Sequence, residues 1–149
     1  MQVVEPVAMG GDLGYYSGED MPEKTSMMAY SDVFTTVYST MCVECAIHGR
    51  PIIAVCIDAL NGWNRKGKFS MPLSKIGDWP THLRFRKAGA GRVATDKETL
   101  KAVLNGYLQD SSLDREARRK FIADEVTFTD GSSGQRVGKH LWKLIKDQA

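Results

Sequence analysis

The 149-residue chain has few cysteines and no long apolar segment. Its three cysteines, Cys42, Cys45 and Cys56, are an odd number set within apolar stretches, which excludes a secreted disulfide framework and predicts reduced, buried thiols. No apolar run approaches the roughly 18 residues that a membrane helix requires. Residues 1–20 also lack the basic start and apolar core of a signal peptide. We therefore expect a cytoplasmic location.

The chain also has little net charge, because its 20 Lys and Arg residues nearly balance its 18 Asp and Glu residues. This balance excludes the strong basic signal of a nucleic-acid-binding domain and favours no membrane surface. Hydrophobic residues make up 42% of the chain, enough for the core of one domain spanning residues 1–149. Val3 follows Met1 almost directly, which is typical of a domain excised from a longer protein.

Short apolar segments alternate with amphipathic ones along the chain. Apolar, β-branched runs predict strands, whereas apolar residues recurring every three or four positions predict helices. The helices predicted at residues 100–108 and 137–145 should both pack onto the sheet. We interpret residues 60–91 as rich in loops. This alternation predicts an α/β fold with a doubly wound, mostly parallel, Rossmann-like sheet that binds ligands at the carboxyl ends of its strands. The predicted strands cover residues 3–4, 33–37, 52–57 and 92–94, and the predicted helices cover residues 21–30, 39–49, 100–108 and 137–145.

The turn Tyr38-Ser39-Thr40 carries the clearest chemical signal. Hydroxyl groups and free backbone N–H groups at a helix start, just after a buried strand, suit a diphosphate without a metal ion. Glu44, one turn further on, could accept hydrogen bonds from a ribose. The alternative is that Ser39 is an ordinary helix cap and Glu44 a solvated side chain. An unpaired carboxylate among apolar neighbours is costly, however, which favours a bound ligand.

The order of these motifs resembles the C-terminal, donor-binding domain of GT-B glycosyltransferases. Within that group it is most similar to the CDP-glycerol glycerophosphotransferases and related surface-polysaccharide transferases, from about Val3 to Ile145. The residues that carry the resemblance are Ala29-Tyr30-Ser31-Asp32-Val33-Phe34, Tyr38-Ser39-Thr40-Met41, Glu44, Gly49-Arg50-Pro51-Ile52-Ile53, Asp130-Gly131-Ser132-Ser133 and Arg136.

The resemblance implies a metal-independent glycosyl or glycerophosphate transferase of polysaccharide biosynthesis, without a cofactor. It implies that Ser39 and Thr40 hold the donor phosphate, that Glu44 meets the ribose, and that Arg136 lies near the domain junction. The general base would come from a missing N-terminal acceptor domain, so the isolated domain would turn over little. The full enzyme could attach peripherally to the inner membrane face. Candidate donor contacts are Tyr38, Asp58, His82 and Arg136.

Two departures leave the donor open between CDP-glycerol and a nucleotide sugar. The segment Trp63-Asn64-Arg65-Lys66-Gly67 stands where the glycerophosphotransferases carry a Tyr and an Arg-Gly pair, and Glu44 stands where they often carry Asp. Two rival functions also remain, namely a non-catalytic regulatory or assembly module and half of a UDP-sugar 2-epimerase.

Three other motifs have structural interpretations that involve no catalysis or ligand binding. A solvent-exposed histidine is the alternative for His82. The Cys42-x-x-Cys45 spacing could be redox-active near a helix start, but its apolar neighbours favour inert thiols. The basic runs at residues 115–120 and 139–146 are interpreted as solvated helix faces, the first with an anionic membrane as an alternative.

Overall fold

A computed structural model describes residues 20–57 and 76–147 of the chain. These residues form six helices and three strands. In chain order they are α1 (Asp20–Tyr30), β1 (Phe34–Thr36), α2 (Met41–Ile47), β2 (Ile52–Val55), α3 (Pro80–Ala88), β3 (Arg92–Ala94), α4 (Lys97–Gln109), α5 (Arg115–Glu125) and α6 (Ser133–Asp147). The predicted strand at residues 3–4 lies outside the described residues, and so does the segment at residues 10–18, whose four glycines predict a loop.

The three strands form one parallel sheet in the order β1-β2-β3. Phe34 pairs with Ile52, and Ile53 pairs with Arg92, so the strands begin together at one edge, here called the amino edge. They end together at the opposite edge, the carboxyl edge. The predicted α/β class and the parallel sheet are therefore confirmed.

Helices cover both faces of the sheet, because β2 sends buried side chains to each side in turn. Ile52 and Ala54 pack with residues of α1, α2, α3 and α5. Ile53 packs on the other face, against Tyr107 of α4. This two-sided burial explains why β2 is a continuous apolar run rather than an alternating one.

Local signals set the helix ends. Asp96 caps α4, accepting a hydrogen bond from the Thr99 N–H at 2.7 Å. Gly49 and Gly89 follow α2 and α3 with φ angles of 69° and 64°, a conformation that glycine adopts at little cost.

Two expectations are wrong. Residues 80–88 form helix α3, where only loop was predicted, because the amphipathic period is weak there although Pro80 and Gly89 mark its two ends. Helix α6 was expected to pack onto the sheet, yet none of its side chains is buried.

Candidate functional site

The turn at residues 38–40 follows β1 at the carboxyl edge, as predicted. The N–H groups that begin α2 are not free, since Met41 donates to Ser39 Oγ at 3.3 Å and Cys42 donates to the Ser39 carbonyl at 3.0 Å. The first two N–H groups of α2 thus have acceptors within the chain, and the expected roles of Ser39 and Thr40 toward donor phosphate stay predictions. Within the described residues, the N–H groups of Ser39 and Thr40 donate no hydrogen bond, and the exposed Thr40 side chain makes no capping bond. The turn itself is the place where donors stay available.

Glu44 of α2 already has a partner inside the chain. Its Oε2 lies 2.8 Å from the Lys24 ammonium of α1, and both side chains are more than a third exposed. The Glu44 carboxylate, whose apolar neighbours suggested a bound ligand, is thus neutralised by the Lys24 ammonium. The role of Glu44 toward a ribose stays a prediction.

Tyr38 and His82 come together beside the turn. Their ring centroids are 5.2 Å apart, and the Trp79 ring stacks on His82 at a centroid distance of 6.3 Å. Both Tyr38 and His82 are buried, at 7% exposure each, so His82 is not the solvent-exposed histidine given as its alternative. A Cβ at Gly77 would lie 2.6 Å from the Tyr38 ring, so only glycine lets this segment lie against Tyr38.

Burial changes the acid–base properties of this aromatic cluster. It raises the pKa of the Tyr38 phenol, and neighbouring Cys56 adds to the rise while Arg86 opposes it. Burial also lowers the pKa of His82, which favours the neutral imidazole. A neutral histidine can donate through one ring nitrogen and accept through the other.

Arg136 is held near the start of α6. Its guanidinium bonds to Asp130 through Nη1 at 2.9 Å and Nη2 at 2.5 Å, and it lies 3.8 Å from the Phe128 ring centroid. Within the described residues, no hydrogen bond or ion pair joins Arg136 to Ser39 or Thr40. Asp58, the remaining candidate contact, lies outside those residues.

The motif order of the chain matches a known family. The family model described as CDP-Glycerol:Poly(glycerophosphate) glycerophosphotransferase matches residues 15–143. The chain belongs to this family. Membership indicates a transferase of the glycerophosphotransferase type that acts in cell-surface polymer synthesis, and it implies CDP-glycerol as a nucleotide-activated donor. No curated protein and no solved structure matches the chain.

Burial makes the Cys42 and Cys45 thiols of this family member unreactive. Cys42, Cys45 and Cys56 are all buried. Burial raises the pKa of Cys42, and burial with nearby Cys42 and Glu44 raises the pKa of Cys45 to about 12, so neither forms a thiolate near neutrality. Across residues 20–57 and 76–147, no group of three His, Cys, Asp or Glu side chains could hold a metal ion. Nor is any helix of those residues long and apolar enough to cross a membrane.

The amino edge carries a second polar group of residues. Asp114 accepts hydrogen bonds from Arg92 at 2.6 and 2.7 Å and from the Tyr107 hydroxyl at 2.7 Å. Arg118, expected to be solvated, is only 1% exposed and donates to the Leu113 carbonyl at 2.9 Å.

Two cavities, of about 280 and 220 Å³, lie at this edge. Neither cavity is lined by a residue that was predicted to contact the donor. Their lining residues are Arg92, Ala102, Val103, Gly106, Tyr107 and Leu113 for the first, and Asp32, Arg50, Tyr107, Leu108, Gln109 and Ser111 for the second.

Sequence reasoning missed Gly77, Trp79 and Arg86, which surround Tyr38 and His82. They belong to α3 or to the turn before it, a segment that was interpreted as loop. The proline and glycine at the two ends of α3 were the signal that could have placed them.

Proposed function

We propose that this domain binds the nucleotide-activated donor of a metal-independent glycosyl or glycerophosphate transferase, with CDP-glycerol or a nucleotide sugar as the donor. The donor diphosphate would lie over the turn at residues 38–40, at the carboxyl edge where parallel α/β sheets bind their ligands. A second domain, closing over this edge, would supply the acceptor site and the general base.

One observation carries the proposal: the turn offers two hydroxyls and two N–H groups without a partner among the described residues, directly after a strand of a sheet from a glycerophosphotransferase family. Such donors can satisfy the oxygens of a diphosphate without a metal ion and can stabilise its charge as it leaves. Beneath the turn, the packing of Tyr38 against Gly77 and His82 fixes the backbone that presents these donors.

Glu44 is placed to contact the ribose of a nucleotide whose diphosphate lies over the turn. Glu44 stands about one helical turn beyond Thr40, and its carboxylate could accept from ribose hydroxyls while Lys24 stays bound to it. Arg136, paired with Asp130, is proposed to lie near the junction with the second domain.

Isothermal titration calorimetry with CDP-glycerol, CDP, UDP and GDP tests the proposal. We expect saturable binding of at least one of them, weakened by about tenfold for each hydroxyl removed in Ser39→Ala and Thr40→Val, because a hydrogen bond to a charged group contributes about 1.5 kcal/mol. The matched control is Thr25→Val with Ser26→Ala, which removes the same two hydroxyls from the exposed side of α1.

The contrary outcomes are distinct. If no nucleotide binds, the chain is better described as a non-catalytic regulatory or assembly module. If binding is saturable but a reconstituted two-domain protein epimerises a UDP-sugar, transfer is the wrong reaction. Equal losses in the control pair and the turn pair would remove the turn from the site.

A further inference from the structure

The second cavity at the amino edge, here called the Arg50 cavity, is lined by an arginine whose side chain has no partner in the described part of the chain. Arg50 is partly buried, its Nε atom is shielded from solvent, and no described residue accepts a hydrogen bond from that atom. Among residues 20–57 and 76–147, no ion pair involves Arg50. A shielded guanidinium N–H costs stability unless an acceptor meets it.

The local sequence fixes the position of Arg50. Gly49 turns the chain at the end of α2 with a φ of 69°, and Pro51, directly after Arg50, is fully buried as the chain enters β2. The Arg50 N–H also donates to the Cys45 carbonyl of α2 at 3.4 Å. The backbone of Arg50 is therefore held on both sides, and its side chain extends from a fixed point into the lining of the cavity.

A carboxylate in the same lining does not neutralise Arg50. Asp32 and Arg50 each stand two positions before a member of the Phe34–Ile52 pair, so they occupy matching positions before two neighbouring strands. Both line the Arg50 cavity, yet no ion pair joins them in the described part of the chain. Two opposite charges that border one cavity without meeting suit a ligand that carries a partner for each.

Two more polar residues line the Arg50 cavity from the end of α4. The Gln109 amide and the Ser111 hydroxyl form no hydrogen bond with any described residue, and each can donate or accept. Tyr107 and Leu108 complete the lining, and the Tyr107 hydroxyl is already bonded within the amino-edge network. The cavity thus combines one cation, one carboxylate and two uncharged hydrogen-bonding groups.

We propose that the Arg50 cavity binds a small hydroxylated anion, namely a phosphate or carboxylate on a short polyol. Its anionic group would bond to Arg50, because the planar guanidinium matches the oxygens of either group with paired hydrogen bonds. A bare anion would be repelled by Asp32, whereas a hydroxyl beside the anionic group gives that carboxylate a donor. An engineered cavity of about 150 Å³ holds benzene, so the Arg50 cavity, of about 220 Å³, has room for such a molecule.

An NMR titration of the ¹⁵N-labelled 149-residue protein tests the proposal. We expect glycerol 3-phosphate and glycerate to shift the amide signals of residues 108–111 in a saturable way. Glycerol and inorganic phosphate should each bind at least about fivefold more weakly, because each lacks one half of the recognised chemistry. Binding of either hydroxylated anion supports the proposal, and the tighter one identifies the anionic group.

Arg50→Gln should weaken the binding of glycerol 3-phosphate by about tenfold or more, because it removes the charged donor. Asp32→Asn should reduce the preference for glycerol 3-phosphate over inorganic phosphate, since the amide no longer repels a bare anion. The matched control is Arg115→Gln, which removes an exposed arginine that lines neither cavity. We expect this control to bind like the parent.

Two further variants keep the test decisive if Arg50→Gln unfolds at a lower temperature than the parent. Arg50→Lys keeps the charge but loses the planar pair of donors, and Ser111→Ala removes one hydroxyl from an exposed position. Each should weaken the binding of glycerol 3-phosphate by about fivefold.

Several results would overturn the proposal: no saturable shift at residues 108–111, glycerol or inorganic phosphate binding as tightly as the hydroxylated anions, or an equal loss in Arg115→Gln. Shifts confined to residues 38–40 and lost in Ser39→Ala with Thr40→Val would assign the anion to the turn instead. This inference is independent of the proposed function, because no residue that lines the Arg50 cavity belongs to the proposed donor site. Binding through Arg50 without nucleotide binding in calorimetry would keep this inference and reject that function, and the reverse result would do the opposite.

Discussion

The two edges of the sheet use polar residues in opposite ways. At the amino edge, Asp114 directs its carboxylate entirely at the protein, accepting from Arg92 and Tyr107. At the carboxyl edge, the turn leaves the N–H groups of Ser39 and Thr40 without a partner among the described residues. The Asp114 carboxylate is thus engaged within the chain, whereas the turn at residues 38–40 keeps N–H donors that bond to no described residue.

The contrast between the two edges shows that a polar cluster is not by itself evidence for a binding site. The amino edge holds two cavities and the more extensive network, yet the Asp114 carboxylate of that network is already bonded to Arg92 and Tyr107. The carboxyl edge has fewer polar contacts but rests on a packed aromatic support, with Tyr38 and His82 buried beneath the turn. We therefore expect substitutions in the Asp114 network at the amino edge to affect mainly stability and substitutions at the carboxyl edge to affect nucleotide binding.

The largest expected effect is on stability, at the amino edge. Asp114→Ala should reduce the free energy of unfolding by about 3 kcal/mol, since it leaves the buried Tyr107 hydroxyl unpaired, removes the acceptor of Arg92 and places alanine at a φ of 59°. Urea unfolding measures the loss. Donor affinity should stay unchanged.

The control for that substitution is Asp114→Asn. Asparagine tolerates a positive φ and keeps an acceptor for Tyr107, so it should lose only about half as much stability. A loss below about 0.5 kcal/mol in Asp114→Ala would show that the network contributes little and would weaken the contrast between the edges.

A smaller loss, with a functional consequence, is expected at the carboxyl edge. Gly77→Ala places a methyl group 2.6 Å from the Tyr38 ring, so the ring must move and stability should fall by about 1–2 kcal/mol. Because Tyr38 supports the turn, nucleotide binding in calorimetry should weaken as well. Gly106→Ala is the control, since its nearest neighbour would be 3.9 Å away. Unchanged nucleotide affinity in a folded Gly77→Ala protein would separate the aromatic cluster from the site.

Acid should affect the two edges at different pH. Burial lowers the pKa of His82 below its ordinary 6.5, so the neutral form stabilises the fold and that contribution is lost as pH falls below 6.5. Burial would raise the pKa of Asp114, but hydrogen bonds from Arg92 and Tyr107 lower it below 3.8, so its contribution is lost only below that value. Thermal unfolding against pH should therefore show an early decline that His82→Phe removes. A decline that persists in His82→Phe would assign it to other groups.

Much of this architecture could be predicted from the sequence. Ile52 to Val55 form a run that only a two-sided sheet buries, and Asp96 and Gly49 mark helix ends through local chemistry. Helix α3 could not be predicted from periodicity, because its buried residues His82 and Phe85 are too few to make a pattern. The partner of Glu44 was equally hidden, since Lys24 meets it only when α1 folds onto α2.

The smallest expected effect decides what Glu44 does. The Lys24–Glu44 pair is exposed, so a double-mutant cycle with Lys24→Ala and Glu44→Ala should give a coupling of about 0.5 kcal/mol in stability. If pairing is the only role of Glu44, both single variants will bind nucleotide as the parent does. If Glu44 also accepts from a ribose, Glu44→Ala alone will lose affinity, and Glu44→Gln will retain part of it through its amide oxygen. Equal nucleotide affinity in all three variants would leave the turn at residues 38–40 as the whole of the donor site on this helix.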